Sequence, residues 1–279
     1  MQRQLDKSIE SGLLGSALWN NKLKDDCRNG EVFMAIRKNI VDFYHKGGRL
    51  FSFDGKDYTT HLKYAATIIG KDKDYLTENE LQNYKLPSNF QTNYRRIKEN
   101  CFNFSGIEAI GVSEIYHKHS YLSNENVVVL DIEVSFKALD PNRTQDRIDI
   151  LLFNTQKKTL QFVEAKHYSN KELWSTTTPK IISQIRRYEQ QISKSGENII
   201  SAYSDYIEAV NRIFSLHFPL PVKIDPKVSL LIFGFDDDQK NGRLRKLITG
   251  NRVFCGVKTY CKGDIKSIVP ENLWNAKVL

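Results

Sequence analysis

The sequence predicts an α/β fold in which helices flank a central mixed sheet, preceded by an N-terminal α+β unit. Three observations predict this fold. From Ser105 to Phe235 the patterning gives the order helix, strand, strand, strand, helix, helix, strand. Within that order, "KVSLLIFGF" is a fully apolar strand. Upstream, "HKGGR" and "FDGKD" are glycine turns between β-favouring runs, as in hairpins.

The elements follow one another along the chain. Residues 1–30 have a helical pattern, and the two glycine turns come next. A charged stretch of lower hydrophobicity ends at Pro87, which we take as the boundary between an N-terminal accessory unit (1–86) and a second domain (87–279). The second domain opens with helices in "NFQTNYRRIKEN" and "SGIEAIGVSEIYHKHS". Strands in "NVVVLDIEVSF", "RIDILLFN" and "LQFVEAKH" precede helices in "PKIISQIRRYEQQISK" and "ENIISAYSDYIEAVNRIF".

Composition narrows the class of protein. The chain has 279 residues, enough for one large domain or two modest ones, and a hydrophobic fraction of 40% fits a folded globular protein. No apolar run approaches the roughly 20 residues that cross a bilayer, and the N-terminus lacks the pattern of a signal peptide. Four scattered cysteines fit a reducing compartment. We therefore expect a cytoplasmic protein with no membrane partner.

The charge is basic overall, with a formal net charge of +8. Residues 1–86 contain 14 basic and 12 acidic side chains, and residues 87–279 contain the other 27 and 21. Most of the surplus therefore belongs to the second domain. A surplus of this kind suits a polyanionic partner, and nucleic acid is the first candidate.

Charged side chains interrupt two otherwise apolar strands. Alternation places Glu164 and Lys166 on one face of their strand, and pairing as a hairpin brings Asp149 to the same end of the sheet. Two neighbouring carboxylates repel and resist burial, whereas a divalent cation neutralises them, and oxygen ligands favour Mg²⁺ or Mn²⁺. Such an ion with a nearby ammonium suits phosphodiester hydrolysis. The alternative is a solvated strand face with ordinary ion pairs.

These residues also carry a resemblance to a known family. Asp149 followed by Glu164-Ala165-Lys166 resembles the D…(D/E)-x-K signature of the PD-(D/E)XK nuclease superfamily, and the element order resembles its restriction-endonuclease-like core. The resemblance covers about half the chain. It departs from the family pattern at one position, because no proline directly precedes Asp149 and Pro141 lies further upstream. It implies that Asp149 and Glu164 bind metal, with the Ala165 carbonyl as a third ligand. Lys166 is then the lysine beside the nucleophilic water.

The helix after this signature has a second motif. Gln184 and Tyr188 are one helical turn apart, on a polar stripe with Arg187 that suits a phosphate backbone. The pair resembles the Q-x-x-x-Y motif of a superfamily branch that includes nuclease domains of bacterial recombination helicase-nucleases and CRISPR adaptation nucleases. The resemblance implies substrate binding by all three residues. The alternative is an ordinary amphipathic helix with an exposed tyrosine. That branch often holds an iron–sulfur cluster, but no further cysteines flank Cys255 and Cys261, so we expect none.

The sequence therefore predicts a Mg²⁺- or Mn²⁺-dependent nuclease, with DNA favoured over RNA as the substrate. A rival reading is a catalytically inactive nucleic-acid-binding module with the same fold, which recruits a protein partner through residues 1–86. Glu114, on the helix before the sheet, and Glu133, on the first strand of the second domain, are weaker candidates for accessory roles. Endonuclease and exonuclease action, and the oligomeric state, stay open at this point.

Overall fold

The structure is a computed structural model that describes residues 1–65, 89–136, 146–175, 179–250 and 252–278. It divides into two compact units. The smaller unit is Leu5–Ile110, and the larger unit joins Met1–Gln4 to Gly111–Leu279. The boundary predicted between residues 86 and 87 lies outside the described residues.

The smaller unit is built on an antiparallel sheet. Among its described residues the order is β1-β2-β3-β4, formed by β1 (Phe33–Arg37), β2 (Ile40–His45), β3 (Gly48–Phe53) and β4 (Tyr58–Thr59). Lys46 and Gly47 join β2 to β3 with φ values of 48° and 87°, the left-handed backbone that a tight hairpin turn requires. A Cβ atom at Gly47 would lie 2.5 Å from Ala109, so glycine is also needed sterically. The predicted hairpin at this turn is confirmed.

Helices accompany this sheet in the smaller unit. They are α1 (Lys7–Gly15), α2 (Lys24–Arg28, entered through a π-type turn at Trp19–Leu23), α3 (Leu62–Ala65) and α4 (Tyr94–Asn103). Aromatic rings form much of the core: Trp19 lies 6.1 Å from Phe43, and Phe51 stacks on Tyr94 at 6.1 Å between ring centres. Because Tyr94 belongs to α4 and Phe51 to β3, this contact docks the helix on the sheet.

The larger unit contains the predicted mixed sheet. Its described strands are ordered β11-β10-β9-β7-β6-β5, with β8 beside β7. They are β5 (Val127–Phe136), β6 (Asp146–Asn154), β7 (Thr159–His167), β8 (Lys223–Ile224), β9 (Ser229–Phe233), β10 (Lys258–Lys262) and β11 (Lys277–Val278). Strands β5, β6 and β7 pair antiparallel, and β9 pairs parallel with both β7 and β10. Strands β10 and β11 also pair antiparallel, so the sheet is antiparallel at both edges and parallel in the middle.

Helices connect and cover this sheet. They are α5 (Ile107–His119, which belongs to the larger unit from Gly111 onward), α6 (Lys180–Phe214), α7 (Asp237–Gln239), α8 (Arg245–Gly250) and α9 (Pro270–Trp274). Helix α6 provides the crossover that the parallel pair β7 and β9 requires. Its backbone is non-helical at Ser195, with φ −123°, and this residue joins the two helices that the sequence predicts. None of the described helices is both long and apolar enough to cross a membrane.

Residues Met1–Gln4 are anchored to the larger unit by a buried charge network. The Arg3 Nε donates to the Asp131 carboxylate at 3.1 Å, and the Tyr203 hydroxyl donates to the same oxygen at 2.8 Å. Asp131 lies in β5 with 0% of its surface exposed. A buried carboxylate needs such compensation, because its transfer from water is costly. The first residues of the chain are therefore part of the fold of this unit.

Candidate active site

The hydrogen-bonded ladder between β6 and β7 stops short of the end of both strands. The last pair is Ile150 with Val163. Beyond it, the Asp149 carboxylate accepts a hydrogen bond from the backbone N–H of Ala165 at 2.7 Å. In a continued ladder, the Ala165 N–H would donate to a backbone carbonyl of β6. Here it donates to a side chain of β6 instead. This places the Asp149 carboxylate beside the residue that separates Glu164 from Lys166.

Glu164 and Lys166 lie on one face of β7, as alternation predicts. The Lys166 ammonium is 3.0 Å from Oε1 of Glu164, and both side chains are buried, with Glu164 only 1% exposed. The structure therefore brings the three residues of the predicted signature to the same end of β6 and β7. Removing both charges from water is costly, and the attraction within a buried ion pair often does no more than offset that cost. Stabilisation of the fold alone is therefore a poor explanation for this pair.

A second carboxylate contacts the same lysine. Glu172 Oε2 lies 3.3 Å from the Lys166 ammonium, and the Glu172 side chain is about two-fifths exposed. Glu172 sits in the short helical turn Lys171–Leu173, where the Asn170 side chain accepts a hydrogen bond from its backbone N–H. The sequence analysis missed Glu172, since a single acid in a polar loop has no periodic signal. One ammonium is thus shared by two carboxylates.

Gln184 and Tyr188 also face this end of the sheet. The Gln184 side-chain amide donates to Oε1 of Glu164 at 3.0 Å and also to the Tyr188 hydroxyl. That hydroxyl in turn donates to the backbone carbonyl of Arg147 in β6. The chain of hydrogen bonds runs from β7 through α6 to β6, and the motif is thereby placed against both strands that carry the acids.

The three helix residues are less exposed than the predicted polar stripe requires. Tyr188 is fully buried, and its hydroxyl bonds to protein atoms. Gln184 and Arg187 are half-buried. Substrate binding by Gln184, Arg187 and Tyr188 stays a prediction. The geometry of Tyr188 is that of a residue that positions other groups.

The backbone of Ala165 offers a further oxygen. The N–H and C=O of one residue in a strand point to the same neighbouring strand. Because the Ala165 N–H points towards Asp149 on β6, its carbonyl oxygen is directed to the same side. Two carboxylates and one carbonyl are hard oxygen donors of the kind that Mg²⁺ and Mn²⁺ prefer. Among the described residues, no three His, Cys, Asp or Glu side chains form a group that could hold a metal by themselves.

Glu133 has an unusual backbone next to this site. Its φ is 52°, a left-handed conformation within β5, while its neighbours in the chain pair with the residues on either side of Asp149. The Glu133 carboxylate forms a 2.6 Å ion pair with Arg147, whose side chain is 64% exposed. Strain of this kind in a strand is often found near functional sites. The other accessory candidate, Glu114, is half-buried on α5, and its role stays a prediction.

The geometry describes a partly buried cluster of acidic side chains around one lysine, beyond the point where the ladder between β6 and β7 ends. Comparison of the chain with models of protein families, with curated proteins and with solved structures found no match.

Proposed function

We propose that this chain is a metal-dependent nuclease with a restriction-endonuclease-like core. It hydrolyses phosphodiester bonds in nucleic acid, and DNA is favoured over RNA as the substrate. One observation carries the proposal: the Glu164 and Lys166 side chains meet at 3.0 Å on β7, while the Asp149 carboxylate reaches the backbone of the residue between them. An acid pair with a lysine at one end of a mixed sheet is the arrangement that the sequence signature implies.

The charge of this cluster of side chains supports the binding of a divalent cation. Asp149, Glu164 and Glu172 bring three carboxylates, whereas Lys166 brings one ammonium that Glu164 and Glu172 share. Like charges that are close together and partly buried are unfavourable unless a cation offsets them. The Asp149 and Glu164 carboxylates and the Ala165 carbonyl would hold Mg²⁺ or Mn²⁺. When bound, such an ion polarises a phosphoryl oxygen and makes hydroxide available from water near neutral pH.

The residues around the acids position the reacting groups. Lys166, held from two sides by carboxylates, presents a fixed ammonium that orients the attacking water and stabilises negative charge developing on the phosphate. The Gln184 amide donates a hydrogen bond to one oxygen of Glu164 and so fixes the orientation of the carboxylate. Tyr188 holds β6 through the Arg147 carbonyl and so sets the position of the strand that carries Asp149.

The experiment is a cleavage assay on supercoiled plasmid and on linear DNA, with Mg²⁺, Mn²⁺ or EDTA. We expect metal-dependent cleavage that falls at least about 100-fold in Asp149→Ala and in Lys166→Ala. Lys157→Ala is the control, because Lys157 is exposed at the opposite end of β7, roughly 30 Å away along the strand. Comparing circular with linear and single- with double-stranded substrates then separates endonuclease from exonuclease action.

Two results would reject the proposal. Undiminished cleavage by both active-site variants would show that another site or a contaminant is responsible. Salt-sensitive DNA binding without hydrolysis at any Mg²⁺ or Mn²⁺ concentration would identify the inactive binding module instead.

A further inference from the structure

An arginine is stacked on a tryptophan beside the candidate site. The Arg243 guanidinium carbon lies 3.9 Å from the centre of the Trp174 ring. The indole is fixed by two contacts, since its N–H donates to the Tyr168 carbonyl at 2.8 Å and the Tyr168 ring meets it edge-on at 4.9 Å. Trp174 is half-buried and Arg243 is exposed. An exposed cation–π pair contributes only about 0.5–1 kcal/mol, so folding alone gives little reason for it.

The segment that carries Arg243 is strongly basic. Residues 240–263 contain seven basic side chains and no acidic one, which nearly equals the net charge of +8 for the whole chain. Lys258 pairs with Asp225 at 3.0 Å. Across the described ranges, the exposed side chains of Arg243, Arg245 and Lys246 form no salt bridge. Clustered cations without acids repel one another, and a polyanion relieves this repulsion.

The stack lies close to the candidate catalytic residues. Trp174 follows Glu172 by two residues, and Glu172 contacts the Lys166 ammonium at 3.3 Å. Consecutive Cα atoms are about 3.8 Å apart, so the Trp174 backbone lies within about 8 Å of that of Glu172. The stack is therefore placed to meet a nucleic-acid strand on one side of a phosphate that sits at Lys166.

We propose that the Trp174–Arg243 stack, with Arg245 and Lys246, binds an unpaired stretch of the substrate strand next to the scissile phosphate. The cations contact phosphates, and the outer face of the Arg243 guanidinium stacks on a base. Phosphate contacts alone need only charge, whereas a guanidinium held flat on an indole also presents a planar π surface. Base faces are accessible only where the strand is unpaired. The inference rests on the proposed function for the identity of the substrate.

The test measures binding rather than cleavage. Full-length protein carrying Asp149→Asn, in EDTA, is titrated with a single-stranded oligonucleotide containing 2-aminopurine and with the matching duplex. We expect Arg243→Ala to weaken single-strand binding about 5- to 100-fold, to lower the salt slope by about one and to reduce the change in 2-aminopurine fluorescence. Arg243→Lys retains the salt slope and loses the fluorescence change. Lys157→Ala, the distant exposed control, binds as the parent does.

Each other outcome overturns a stated part of the inference. Unchanged binding by Arg243→Ala overturns the whole surface. Weakened binding supports it when circular dichroism shows that the variant keeps the parent fold. The stacking of a base is overturned in either of two cases. In one, Arg243→Ala loses equal affinity for duplex and for single-stranded DNA; in the other, Arg243→Lys behaves like the parent. Failure of the nuclease proposal can be distinguished from failure of this inference. If the wild-type protein binds single strands through Arg243 but never cleaves them, the nuclease proposal is rejected and the binding surface is retained.

Discussion

The Tyr188 hydroxyl donates a hydrogen bond to the backbone carbonyl of Arg147, beyond the last ladder pair of β6 and β7. A side chain of α6 thus satisfies a carbonyl that the neighbouring strand no longer bonds. Through Gln184 the same helix also holds Glu164 on β7. One helical turn therefore fixes the relative position of the two strands that carry the acids.

We predict that Tyr188→Phe impairs catalysis beyond its effect on stability. The substitution leaves the Arg147 carbonyl without its hydroxyl donor and lowers the free energy of unfolding by about 1–3 kcal/mol. Tyr203→Phe is the matched control, since it removes a buried hydroxyl from the same helix that bonds to Asp131. Urea unfolding gives the stability of both variants. Only Tyr188→Phe should lower kcat, by about tenfold, and equal kcat values would contradict a positioning role.

Gln184→Met is expected to weaken metal binding. The variant keeps the length of the side chain but removes the amide that bonds to Glu164. Loss of a group that orients a metal ligand costs about 10- to 100-fold in affinity, so the Mg²⁺ concentration for half-maximal cleavage should rise by that factor. Gln190→Met, at an exposed position of α6, serves as the control. An unchanged Mg²⁺ titration would remove Gln184 from the site.

Glu172→Gln tests the second partner of the lysine. We expect kcat to fall several-fold while KM changes little, because the Lys166 ammonium loses one of the two carboxylates that hold it. The free energy of unfolding should change by less than about 1 kcal/mol, as is usual for a partly exposed pair. Glu189→Gln breaks a comparable pair with Lys227 at 3.4 Å and should leave kcat unchanged. A rise in KM with constant kcat would instead assign Glu172 to substrate binding.

Acidification should destabilise the smaller unit through His45. Burial lowers the pKa of His45 below its usual 6.5, although the hydrogen bond between its Nδ1 and the Glu31 carbonyl opposes this. Because the unfolded chain then binds a proton more readily than the folded one, the stabilisation is complete above pH 6.5 and is lost as the pH falls towards the lowered pKa. Hydrogen exchange of β2 amides between pH 7 and pH 5 measures this loss. In His45→Asn the loss should be smaller, and identical pH profiles would exclude His45 as its origin.

The broad architecture could be predicted because it rests on local patterns. Period-two alternation and glycine turns gave the strands, and the resulting mixed sheet with flanking helices and the antiparallel N-terminal sheet is present in the structure. The pairing of Glu164 with Lys166 follows from the same alternation, which fixes the face of a strand whatever its neighbours are.

The remaining features depend on contacts between distant residues. Helical periodicity placed Tyr188 on a polar face of its helix. The hydroxyl is buried instead, because it bonds to a carbonyl of β6 beyond the end of the β6–β7 ladder, and no local sequence pattern indicates that contact. Arg243 stacks on Trp174 across nearly 70 residues of chain. The lack of acidic residues from 240 to 263 was visible in the sequence and is the one local signal for that surface.

The anchoring of Arg3 to Asp131 makes the larger unit discontinuous along the chain. A fragment that starts at residue 111 would therefore keep the buried aspartate and lose its guanidinium, a change that typically costs about 3–5 kcal/mol. Expression of the larger unit by simple truncation is thus a poor test of the proposed activity. Grafting the first four residues into such a fragment, or deleting Leu5–Ile110 as an internal segment, respects the way the chain is folded.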